Sequence, residues 1–205
     1  MAENGSQDVT IEHLQERIQH LEQENKRWMR LAGINRLTDL PNSLMLYQII
    51  MPAELKKCDE RGIALACFLL SPDALGDVNR DYGRAVGDEL VKQIGLFLKQ
   101  RMEQGERLFH PDGANFAVLI TDATEGRAKR RATEVKADLR RQIFTVKGKE
   151  FKDLTCSVGV ASFEGVVLEA NVPKCVEGMY QDLSDRLYKA KERGENLIVG
   201  SSLIS

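Results

Sequence analysis

The chain has 205 residues, 42% of them hydrophobic, with 29 basic against 31 acidic side chains and a formal net charge of −2. That is enough for one domain with a buried core plus an appendage, and the near-balance of charge gives no electrostatic basis for binding nucleic acid or an anionic membrane. No apolar run reaches the roughly 18 residues of a membrane span, Met1 to Asp8 is no signal peptide, and Cys58, Cys67, Cys156 and Cys175 form no Cys-x-x-Cys pair, so a soluble, cytoplasmic protein with no nucleic-acid or membrane partner is expected.

Residues 1–9 are predicted to be disordered. From 10 to 36 the sequence is nearly free of Gly and Pro and carries heptads, with Ile11, Ile18, Asn25 and Ala32 at a and Leu14, Leu21 and Trp28 at d. β-branched residues at a with Leu at d favour two parallel strands, and one buried Asn at a fixes register. Arg17 at g can meet Glu22 at the partner's e position. The predicted element is a coiled-coil dimerisation helix built on Ile11, Leu14, Ile18, Leu21, Asn25 and Trp28, giving a homodimer. The alternative is a single amphipathic helix folded back on its own domain. His13 and His20 both fall at c and read as solvated.

Leu37-Thr38-Asp39-Leu40-Pro41-Asn42 stops one helix and starts another. A helix then runs from Ser43 to about Arg61, kinked near Pro52, followed by an apolar strand from Ile63 to Leu70 at the centre of the sheet. After the segment Ser71 to Asp88, a helix places Leu90, Val91, Ile94, Phe97 and Leu98 on one side. Leu108-Phe109 and Phe116 to Ile120 flank an Asp-Gly turn and read as a β-hairpin. Thr124 to Phe144 is a helix with Ala128, Ala132, Val135, Leu139 and Ile143 inward. Its Arg127, Lys129, Arg130, Arg131, Lys136, Arg140 and Arg141 form a basic stripe, but Glu134 and Asp138 interrupt it and no aromatic is interleaved, which suits a solvated face rather than nucleic acid. A strand from Thr155 to Ala161 and a segment Leu187 to Asn196 complete the chain.

The turn Asp112-Gly113-Ala114-Asn115-Phe116 resembles the Gly-Gly-Asp/Glu-Glu-Phe signature of the GGDEF family, the diguanylate cyclases. Four further segments resemble family motifs in the family's order: Leu37 to Asn42, Asp73 to Asp88 (matching at Asp73, Asn79, Tyr82, Gly83, Gly87 and Asp88), Thr155 to Ala161, and Leu187 to Asn196. The resemblance implies an α/β fold over residues 37–200, a central, mainly antiparallel five-stranded sheet flanked by helices, with a tail at 201–205.

The resemblance also implies a site. Family members join two GTP molecules into cyclic di-GMP, and each 3′-hydroxyl attack needs positioning and charge neutralisation by a divalent metal. Mg²⁺ takes oxygen ligands, usually carboxylates; the two family positions are here Ser71 and Ala114, and Asn115 replaces the next acid. His110, Gly76, Arg80 and Glu195 depart from the pattern as well. The guanine-reading pair is matched by Asn79 and Asp88 and a phosphate-side lysine by Lys191; alternatively Asn79 caps the next helix and Asp88 is a first-turn acid. The product-inhibition motif falls on Glu103 and Glu106, which repel phosphate. The expectation is a degenerate domain with no catalytic residue, metal or cofactor, acting as a dimeric signalling or scaffold module with a protein partner and retaining possible binding of GTP or cyclic di-GMP. The alternatives are a cyclase whose Mg²⁺ is held by Asp73 or Asp112, and a nucleotide receptor without turnover.

Overall fold

The computed structural model describes residues 11, 13–24, 32–165 and 171–201. The expectations for residues 1–9, Asn25, Trp28 and residues 202–205 lie outside these. In chain order come a π-helical stretch Met45–Ile50, α1 (Met51–Arg61), β1 (Leu65–Pro72), α2 (Leu75–Tyr82), α3 (Arg84–Lys99), β2 (Glu106–Asp112), β3 (Asn115–Thr121), α4 (Glu125–Arg141), β4 (Phe144–Val146), β5 (Lys149–Phe151), β6 (Cys156–Phe163), α5 (Val172–Glu192) and β7 (Ile198–Val199).

The main sheet has five strands in the order β2-β3-β1-β6-β7. Every pairing is antiparallel except β6 with β7. β1 lies at the centre, with Phe68 opposite Val118 on one side and Val160 on the other. It is buried along its whole length, which is why it reads as a continuous apolar run rather than an alternating one. Successive side chains serve opposite faces. Phe68, Leu70, Phe116, Val118, Val158 and Val160 pack with α3 and α4 residues such as Ile94 and Leu139. Cys67, Leu69, Phe109, Leu119 and Ala161 pack with Leu55 of α1 and Met179, Leu183 and Leu187 of α5.

Local chemistry explains where elements differ from expectation. Pro52, near the start of α1, has no amide hydrogen for the carbonyl four residues back, and the helix before it is wound as a π-helix; the predicted kink takes this form. The α4 helix begins at its Thr124 cap, whose hydroxyl accepts from the Arg127 amide, and ends at Arg141 because Gln142 is extended. Ile143 therefore leaves the helical face and is 49% exposed, contrary to its predicted inward position. The small β4–β5 hairpin was not anticipated; Lys147 and Gly148 turn it with φ of 49° and 77°.

Gly159 marks the closest approach of sheet and helix. A Cβ there would lie 2.3 Å from the Leu183 carbonyl oxygen and 2.6 Å from the Leu187 nitrogen of α5. Residues 13–24 are helical, and Ile11, Leu14, Ile18 and Leu21 are 48–55% exposed, so this apolar seam is not laid against the chain's own sheet.

Candidate functional site

The end of β1, the β2–β3 turn, the α2–α3 junction and the turn after α5 carry the residues singled out from the sequence. The β2–β3 turn consists of Gly113, with φ of 52°, and Ala114. Asn115 Nδ2 donates to Asp112 Oδ1 at 2.7 Å, closing the turn with the two polar side chains that flank it.

His110 anchors this turn from below. It is 1% exposed and stacks on Phe116 with ring centroids 4.7 Å apart. Its Nε2 lies 2.9 Å from the Gly113 carbonyl oxygen and its Nδ1 2.8 Å from Thr38 Oγ1. A carbonyl can only accept, so Nε2 carries the proton and Nδ1 accepts from the threonine hydroxyl. Burial pushes the imidazole pKa below its ordinary value, opposed by the Gly113 hydrogen bond and the Asp112 charge. The His110 amide also donates to the Pro41 carbonyl and its own carbonyl accepts from Asn35 Nδ2. The segment entering the domain and the signature turn are thus fastened to one residue.

At the end of β1, Ser71 is 2% exposed and its hydroxyl accepts from Lys191 Nζ at 2.8 Å. Two residues on, the Asp73 carboxylate accepts from Ser157 Oγ at 2.7 Å, Thr155 Oγ1 at 2.8 Å and the Asn196 amide at 3.1 Å. It ties β1 to β6 and to the turn after α5, where Gly194, Glu195 and Asn196 all have positive φ. Among the described residues no group of three or more His, Cys, Asp or Glu side chains is arranged to hold a metal ion.

Asn79 sits in α2 and Asp88 in α3, where Asp88 is exposed. Neither fills the structural role offered as its alternative. The cap of α3 is Gly83, with no side-chain cap bond, and no acid lies in the first turn. The Asn79 Oδ1 atom is buried without a hydrogen-bond partner; it lies against Gly87, where a Cβ would meet it at 1.9 Å.

Where the resemblance places the product-inhibition motif, Glu106 pairs with Arg131 of α4 at 2.7 Å. Arg131 also meets Glu134 at 3.2 Å, Glu103 at 3.8 Å and the Arg101 carbonyl. The Glu106 side chain is thus buried in an ion pair with Arg131, while Glu103 stays largely exposed beside it. The pairings of Lys191 with Ser71 and of Arg131 with Glu106 were missed from sequence, where separations of 120 and 25 residues carry no local signal.

The sequence model of the diguanylate cyclase GGDEF domain matches residues 32–197. A curated relative, an uncharacterized membrane protein of Staphylococcus epidermidis, is 26% identical over 148 residues, which is 72% of this chain but 40% of that protein. The chain thus spans about two fifths of that relative's length. Among solved structures, the coiled coil and GGDEF domain of DgcB from Caulobacter crescentus in complex with c-di-GMP has a TM-score of 0.71 at 16% identity, covering 96% of this chain and 100% of that one. The diguanylate cyclase SiaD from Pseudomonas aeruginosa, in complex with its activator SiaC, has a TM-score of 0.71 at 20% identity, covering 98% of this chain and 75% of that one. At these identities the structural likeness is one of fold. The membrane-protein relatives overturn the cytoplasmic expectation. A globular lobe has the same composition whether tethered or free, so its hydropathy could not place it; no helix among the described residues is long and apolar enough to cross a membrane.

Proposed function

The chain belongs to the GGDEF family, and on that footing we propose that it is a non-catalytic member, a dimeric signalling or scaffold module that acts through a protein partner and retains a site for a guanine nucleotide. The observation that carries this reading is the chemistry of the two positions where the family places metal-binding carboxylates. Ser71 offers a neutral hydroxyl already engaged by the Lys191 ammonium, and Ala114 offers a methyl group. A divalent cation in that corner would face an ammonium with no carboxylate between them. The two acids that could substitute are engaged: Asp73 by three donors and Asp112 by Asn115. This donor set does not fit Mg²⁺, and loss of metal charge stabilisation raises the barrier by several kcal/mol, an order-of-magnitude figure.

The guanine-binding part of the reading rests on Asn79 and Asp88. An amide oxygen buried without a partner costs about 1–3 kcal/mol, and an amide and a carboxylate on adjoining helices suit the edge of a guanine. Lys191 matches the family's phosphate-side lysine. A protein partner is proposed by analogy with SiaD, which is bound to SiaC.

Titration of the purified chain with GTP and cyclic di-GMP, with product analysis on the same samples in Mg²⁺ or Mn²⁺, tests this. Saturable binding of GTP that is lost in Asn79→Ala and Asp88→Ala, without cyclic di-GMP formation, is expected. Metal-dependent turnover that falls in Asp73→Ala or Asp112→Ala would replace this reading with a cyclase whose ligands are displaced.

A further inference from the structure

We infer that the cleft at the C-terminal end of α4 binds a compact, multiply charged phosphate anion, free or carried on a nucleotide. This cavity is about 660 Å³, and its lining includes Lys136, Arg140, Arg141, Lys152, Ile143 and Asn196. Its volume lies within the range of small-ligand sites, about 300–1,000 Å³. Four cationic side chains share it with one acid, Asp153, in a chain whose net charge is −2.

The basic stripe of α4 divides into two groups. Toward the N-terminus most of the cations are used in structure: Arg127 donates to the Asp122 carbonyl at 2.7 Å, Lys129 pairs with Glu125 at 2.7 Å and Arg131 with Glu106 at 2.7 Å, while the exposed Arg130 side chain has no partner among the described residues. At the cleft the two arginines are held weakly or not at all. The Arg140 side chain has no ion-pair or hydrogen-bond partner among the described residues. Arg141 is 79% exposed and reaches Asp138 only at 3.8 Å. Lys152 comes from the segment after β5 and pairs at 2.8 Å with Glu150, both side chains being more than half exposed. Lys136 donates to the Asn196 carbonyl, and burial pushes its pKa down, so a bound anion would stabilise its charge.

A helix C-terminus carries about half a negative charge, which a single cation offsets. Four converge on one concavity whose neighbouring acids, Asp153, Glu150 and Asp138, leave the two arginines without a close counter-charge, and an anion would supply it. Arginine forks favour phosphate oxygens, and the exposed face of Ile143 offers an apolar shoulder beside them. Neither Asn79, Asp88 nor the Arg131 cluster lines this cleft, so the inference does not depend on the function proposed above.

Calorimetric titration of the full chain with inorganic triphosphate, ATP and GTP, at low and high salt, tests it. Saturable binding of triphosphate that weakens in high salt and falls about tenfold or more in Arg140→Glu with Lys152→Glu, both exposed positions whose thermal melt should not change, is expected. With Asn79→Ala and Asp88→Ala in place to remove the proposed guanine site, nucleotides binding more tightly than triphosphate would identify the carried form, and equal affinities the free anion. Absence of saturable triphosphate binding, or binding unchanged in the charge-reversed variant, overturns the proposal. So does triphosphate binding that is lost in Asn79→Ala and Asp88→Ala instead.

Discussion

Asp73 carries structural weight that its place in a family motif does not reveal. Hydrogen bonds to charged groups contribute about 1.5–3 kcal/mol each, with losses that do not add fully. Asp73 accepts three of them, from Thr155, Ser157 and Asn196. Asp73→Ala is therefore expected to lower unfolding stability by about 2–4 kcal/mol in urea titration. Millimolar Mg²⁺ should leave the wild-type midpoint unchanged, since an ion bound to the native state would raise it. His110 supplies a pH test. Burial lowers its native pKa, while the unfolded chain takes up a proton near pH 6.5, roughly. The unfolded state binds more protons between the native pKa and that value, so stability is full above the window and declines as pH falls through it. Urea midpoints on either side of about pH 6.5 should show this decline, and His110→Gln should reduce it. That Ser71, Ala114 and Asn115 carry no charge where the resemblance places acids was legible because each is a local feature of the sequence. That Asp73 is held by β6 and the turn after α5 was not, because its donors lie 82 to 123 residues away.

At the scale of elements, periodicity carried most of the information. The continuous apolar run of β1, the one-sided helix α3 and the two strands around Asp112-Gly113 follow from patterns a few residues wide. The expected strand at Ile63 to Leu70 begins at Leu65 and extends to Pro72; apolar content marks the run but not where its pairing with β3 and β6 begins. The β4–β5 hairpin escaped notice because three-residue strands are too short for alternation to stand out, although Lys147-Gly148 is a turn pair. Gly159 was visible only as a motif position, and the structure supplies its reason. Its Cβ would strike the backbone of α5 at two atoms, and backbone in a packed helix cannot swing aside as a side chain does. Gly159→Ala should thus cost about 3 kcal/mol or more, the upper end for overpacked sites. Urea unfolding or soluble yield would register it, whereas Gly178→Ala, with nothing within 4 Å of its Cβ, should have no such penalty.

At the scale of the whole molecule, the fold divides one apolar budget between two faces of a sheet and leaves a second, separate apolar seam outside it. Ile11, Leu14, Ile18 and Leu21 remain about half exposed, and a stripe of large aliphatic side chains gains free energy only by meeting another surface. We propose that a parallel pairing with a second copy supplies it, because the heptad places β-branched residues and leucines in alternating layers. Light scattering should therefore give twice the chain mass, and replacing Leu14 and Leu21 by Glu should halve it without altering the melting of the globular part. The substitutions lie on exposed helical positions, so loss of the dimer would not be confused with loss of the fold. A wild-type chain that remains a monomer at high concentration would remove the basis for a dimeric module and leave the seam to a different helix.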